Sequence, residues 1–135
     1  MSNDYPYVAT TRSIVVRVRP SYLAEQSDAA AGRYAWAYHI RVENRGRERV
    51  QLLNRHWRIT DALGRTEEVR GEGVVGKQPV LEPGQAFEYT SGAPLPTPSG
   101  IMAGRYEMAG ADQQRFWIDV PAFSLDSPYA ARSIN

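Results

Sequence analysis

The sequence predicts an all-β protein built as a sandwich of about seven or eight antiparallel strands. Three observations predict it. Apolar residues recur with a period of two rather than 3.6. Clusters of Gly, Pro, Asn and Asp divide these runs at short, regular intervals. Trp57 stands in the middle of an early run, and Gly104-Arg105-Tyr106 opens a late one.

Taken in order, Ile14, Val16 and Val18 alternate with Val15, Arg17 and Arg19, and Pro20 is expected to end that strand. Ser21 to Gly32 is Ala-rich but short, so it predicts a loop with at most one helical turn. Tyr34, Trp36, Tyr38, Ile40 and Val42 form the apolar face of a long strand that stops at Asn44-Arg45-Gly46. A further strand runs from about Glu48 to Thr60 and closes at Asp61-Ala62-Leu63-Gly64. Its alternation breaks. Val50 and Leu52 share one face, whereas Leu53, Arg55, Trp57 and Ile59 share the other, so a bulge is expected near Leu52-Leu53. Arg55 then projects on the Trp57 face and needs a carboxylate, a carbonyl or the sheet edge. Glu67 to Arg70 reads as a short strand. Pro83-Gly84 marks a turn before a strand over Ala86 to Thr90. The run from 92 to 100 holds Pro94, Pro96 and Pro98 and predicts a stiff crossover. Tyr106 to Ala109 and Gln114 to Val120 pair across Gly110-Ala111-Asp112. The Gly-x-Tyr is similar to the tyrosine corner of immunoglobulin/fibronectin type III-like sandwiches, whose hydroxyl bonds back to nearby backbone, and Trp57 would be their tryptophan between the sheets.

At 135 residues the chain fits one domain spanning 1–135, with an ordered core from about residue 8 to 126. The absence of cysteine excludes disulfides, thiolate nucleophiles and Cys-type zinc sites. No apolar run approaches the roughly 20 residues of a membrane span, and Met1 to Pro6 lacks the pattern of a secretion signal. A cytoplasmic protein without membrane insertion is expected. Net charge is +1, which gives no global pull toward nucleic acid.

The basic residues are unusual in kind, since all but Lys77 of the 16 are arginine. Arg41, Arg45, Arg47, Arg49, Arg55 and Arg58 lie close in sequence. They form either a patch for phosphates and carboxylates or a set of solvated strand cations. Tyr34, Trp36 and Tyr38, with Arg55, form either core or a partner surface of the Tyr/Trp/Arg kind.

Gly71-x-Gly73-x-x-Gly76-Lys77 has the spacing of a dinucleotide-binding fingerprint. That fingerprint needs a helix to open on it, and Val74, Val75 and Pro79 oppose one. A glycine-rich strand connection is the plainer reading. A backbone nest holding an anion through Gly71, Gly73, Gly76 and Lys77 is the alternative. His39 and His56 lie on different strands without partners at ligand spacing, so no metal site is expected. No nucleophile elbow is present, and neither catalytic residues nor a cofactor are expected.

Several blocks resemble the bacterial ApaG family: Leu52-Leu53-Asn54-Arg55-His56-Trp57-Arg58-Ile59-Thr60-Asp61, Glu68-Val69-x-Gly71-x-Gly73-Val74-Val75-Gly76-x-Gln78-Pro79, Pro83-Gly84, Tyr89-x-Ser91-Gly92, Leu95-x-Thr97-Pro98-x-Gly100-x-Met102-x-Gly104-x-Tyr106 and Phe123-x-Leu125. The resemblance covers about residues 5 to 126. It implies the same sandwich, and an association with cobalt resistance and magnesium efflux (the name CorD) without an established activity. It also implies an interaction module, because related domains occur in eukaryotic F-box and polymerase-associated proteins. The resulting expectation is a non-enzymatic binding module with an unidentified protein partner, and a homodimer through an edge strand as one way to assemble.

Overall fold

The computed structural model describes residues 5–130. Nine strands form among them: β1 (Tyr7–Thr11), β2 (Ile14–Tyr22), β3 (Tyr34–Asn44), β4 (Val50–Asp61), β5 (Thr66–Glu72), β6 (Val80–Leu81), β7 (Ala86–Leu95), β8 (Gly100–Gly110) and β9 (Arg115–Leu125). One sheet has the order β1-β2-β3-β7. The other has the order β5-β4-β8-β9, with β6 also on β4. All pairings are antiparallel. This is the immunoglobulin/fibronectin-like sandwich the alternation predicts.

The inward residues of both sheets fuse into one core. Val16, Val18, Ile40 and Val42 come from the first sheet, and Leu52, Met108, Ile118 and Phe123 from the second. Trp57 lies at the centre, edge-on to Tyr38 at 5.4 Å and to Phe123 at 6.1 Å between ring centres. A tryptophan this large needs a small residue opposite. A Cβ on Gly104 would stand 2.5 Å from Trp57 Cε3, so the glycine of Gly-x-Tyr makes room for it. Tyr106 is fully buried, but its hydroxyl does not reach backbone. It lies 2.5 Å from the Tyr89 hydroxyl and so ties β8 to β7 across the sandwich.

The structure corrects several boundaries, each through proline at an edge. β2 runs past Pro20, because β1 pairs with β2 only as far as Val18 and leaves Pro20 without a neighbour on that side. The segment Gly92–Leu95 is strand, not crossover. β7 is an edge strand, so Pro94 can pair with Ala35 and turn its donor-less nitrogen outward. Only 96–99 stay irregular. β9 likewise passes Pro121 by way of a register shift opposite Met102/Gly104. The expected bulge in β4 is present as a register shift between Leu52 and Asn54. The 21–32 loop contains two 3₁₀ turns, at Ala24–Gln26 and Ala29–Ala31. β1 and the two-residue β6 carry too little alternation to read from sequence.

Candidate functional site

The glycine-rich segment is a hairpin connection, and each glycine has a separate job. The Val74 amide donates to the Lys77 carbonyl at 2.8 Å and the Lys77 amide to the Val74 carbonyl at 2.9 Å. Between them Val75 (φ 44°) and Gly76 (φ 79°) both take positive φ, the signature of a type I′ turn. Gly73 (φ 65°) donates its amide to the Leu53 carbonyl, and a Cβ there would stand 2.4 Å from the Lys77 oxygen. Gly71 instead leaves space for a side chain. A Cβ on it would lie 2.8 Å from the Arg55 guanidinium carbon. Two successive left-handed residues are not the alternating αR–αL pair of an anion nest. The amides of Gly73, Val74 and Lys77 are already bonded to carbonyls. Gly73, Gly76 and Lys77 therefore belong to a hairpin turn, Gly71 belongs to β5, and the Lys77 side chain is exposed.

The strand-surface residues are also placed differently from the contact-surface reading. Trp36 and Tyr38 are core, 1% and 6% exposed, because their face of β3 is the inner one. The Trp36 indole donates to the Asp126 carbonyl at 2.7 Å. Tyr34 is half-buried beside Tyr129. Arg55 meets its requirement for a partner through carbonyls, donating from Nη1 to Glu72 O and Gly73 O at 2.9 Å each. It thereby pins the end of β5 to β4. The sequence-adjacent arginines do not form a single patch. Arg41 and Arg45 hold the buried Glu43 with Arg17, at 2.7, 3.0 and 2.9 Å respectively. Arg49 stands 3.9 Å from Glu82.

The outer face of the β5-β4-β8-β9 sheet carries the most developed surface chemistry. Strand register places Asn54, His56 and Arg58 of β4 beside Glu107, Arg105 and Ala103 of β8, with Glu72, Arg70 and Glu68 on β5. Trp117 of β9 pairs with Glu107 and is 39% exposed. The Arg105 guanidinium lies 4.1 Å from the centre of its ring, close enough for a cation–π contact. Arg105 Nε also donates to His56 Nδ1 at 3.4 Å, so the opposite ring nitrogen, Nε2, donates to Glu68 at 3.0 Å. Glu68 sits below the ordinary carboxylate range, held there first by the His56 hydrogen bond and then by Arg70. Two open depressions of about 350 Å³ each flank Arg105, one toward Trp117, Arg70 and Glu72 and the other toward Arg58 and Ala103.

Trp117 was legible in the sequence. Phe116, Ile118 and Val120 alternate inward, which leaves Arg115, Trp117 and Asp119 outward. Among the described residues, no group of three or more His, Cys, Asp or Glu could hold a metal ion, and no helix is long and apolar enough to cross a membrane.

The strand order and core define an immunoglobulin/fibronectin-like β-sandwich domain with a mixed-charge, tryptophan-bearing sheet face. The chain belongs to the ApaG family, whose domain model matches residues 24–110. It is 63% identical to Protein ApaG of Rhodospirillum centenum over 96% of this chain and 99% of that protein. It is 54% identical to Protein ApaG of Brucella abortus over the same shares. The crystal structure of the putative ApaA protein from Bordetella pertussis superposes with a TM-score of 0.84 at 44% identity, covering 95% of this chain and 100% of that one.

Proposed function

We propose that this chain is a non-enzymatic binding module that acts in divalent-cation homeostasis through a protein partner. The partner docks on the outer face of the β5-β4-β8-β9 sheet. The observation that carries this reading is Trp117, a large aromatic held half-open on a sheet face with Arg105 stacked on it. Tryptophan and arginine dominate the binding energy of protein interfaces, because each contributes a large, weakly hydrated contact area. The surrounding depressions are open to solvent, which suits docking of a surface rather than enclosure of a reaction. Arg58 and Arg105 favour a partner that presents acidic side chains next to an apolar one.

The test is a Trp117→Ala exchange, which removes an outward ring and leaves the core intact. We expect Trp117→Ala to lose capture of the proteins retained by the wild-type chain, and to fail to restore cobalt tolerance in a host lacking its own copy. Unchanged capture together with full restoration would overturn the reading.

A further inference from the structure

Most arginines of this protein already face an acid. Arg17, Arg33, Arg41, Arg45, Arg49, Arg65, Arg70 and Arg115 each have an Asp or Glu oxygen within ion-pair distance. Arg58 and Arg105 have none among the described residues, and they are neighbours on one face. Register pairs His56 with Arg105 and Arg58 with Ala103 across β4 and β8. The two arginines therefore stand on a diagonal, about 7 Å apart at their Cβ atoms by ordinary sheet geometry, with His56 and Ala103 at the other corners. The depression of about 350 Å³ between them is lined by His56, Arg58, Ala103, Gly104 and Arg105, with no carboxylate in its wall. The small side chain of Ala103 leaves its floor low.

The cluster is held in place. Arg105 is fixed by the Trp117 ring and by His56, and His56 is fixed by Glu68. Glu68, the nearest acid across the strand from Arg58, is bonded to His56 and Arg70. Asp119 stands opposite Arg105 in the register but makes no ion pair with it. Two cations on adjacent strands repel each other, and an anion between them relieves that repulsion. A guanidinium binds oxyanions bidentately. A carboxylate's two oxygens can face one fork squarely. A phosphate group's three can face both, with one oxygen shared, and its greater charge offsets two cations.

We infer that the Arg58–His56–Arg105 depression is a binding site for a small phosphate compound, with one phosphate group bridging the two guanidiniums. The site shares a sheet face with the partner surface but does not depend on a protein partner.

The test is an NMR titration of the full chain with inorganic pyrophosphate, with acetate at matched ionic strength as the carboxylate arm. We expect saturable amide and guanidinium shifts at His56, Arg58, Ala103, Gly104 and Arg105, and much weaker ones with acetate. Arg58→Gln should weaken pyrophosphate binding at least tenfold with the rest of the spectrum preserved. Arg47→Gln, at an exposed arginine elsewhere, should leave it unchanged. Equal shifts at every exposed arginine, shifts centred on Gly71 to Lys77, or undiminished binding by Arg58→Gln would each overturn the site. Absence of pyrophosphate binding with capture still sensitive to Trp117→Ala would remove this inference alone. Pyrophosphate binding with capture indifferent to Trp117→Ala would remove the partner reading alone.

Discussion

Gly71 shows how a residue can look like a motif and act as a spacer. Its place in Gly-x-Gly-x-x-Gly suggests backbone contact with a ligand, yet the group that covers it is the Arg55 guanidinium of the same chain. That arginine was readable as an inward charge in need of a partner. Which carbonyls would answer it was not readable, because Glu72 and Gly73 reach it only through the β4–β5 register. A methyl at Gly71 must shift the Arg55 guanidinium, the mobile end of a long side chain, and so loosens its two hydrogen bonds. Gly71→Ala is expected to lower stability by about 1 kcal/mol or less, the net worth of a hydrogen bond that the shifted side chain can partly remake. In a denaturant double-mutant cycle with Arg55→Ala, the two losses should fall short of additive, since the first exchange already removes what the second would. Strict additivity would show that Gly71 and Arg55 do not act together.

The element that departs furthest from local preference is the turn after β5. Type I′ geometry asks for positive φ at both central residues, and Val75 is β-branched, the side-chain type least suited to it. Val74 is 1% exposed in the core, and this neighbour anchors the turn while Val75 stays outside. Asparagine tolerates the left-handed region. Val75→Asn should therefore raise stability by about 1 kcal/mol, the lower end of the cost of such strain. It should appear as a higher urea midpoint at unchanged slope, and a lower midpoint would refute the strain argument. Strand ends follow a similar logic. Pro20, Pro94 and Pro121 look like stops in sequence, and only sheet order reveals that each falls where a missing donor is tolerated.

Across the whole molecule, cohesion beyond the core depends on ionised carboxylates. Burial alone would raise Glu43, but hydrogen bonds from Arg41 and Arg17 outweigh it and hold the group low. Burial likewise opposes ionisation of Asp61, and the amides of Arg65 and Leu63 prevail. Glu88 is lowered first by its His39 hydrogen bond and next by Arg41. A carboxyl group depressed in the folded state contributes stability that is present above its unfolded pKa and lost as pH falls toward the folded value. The thermal midpoint should therefore drop steadily from about pH 5 downward. Glu43→Gln should start lower at neutral pH and fall less steeply. A midpoint that rises on acidification would contradict this. These pairings also divide the arginines that look like one patch in sequence: Arg41 and Arg45 meet on Glu43, Arg49 stands by Glu82, and Arg55 bonds to carbonyls.

The sequence by itself determined the fold class, the family and the core faces, because period-two alternation and turn chemistry are local and each strand carries its own record. It also carried the bulge in β4, since a break in alternation is local too. Tertiary structure alone decided which cations are neutralised, which glycine serves a side chain rather than a turn, and that Arg58, His56 and Arg105 share a face with Trp117. Those outcomes depend on strand order and register, which bring together residues as much as about 60 positions apart. No spacing along the chain records that distance.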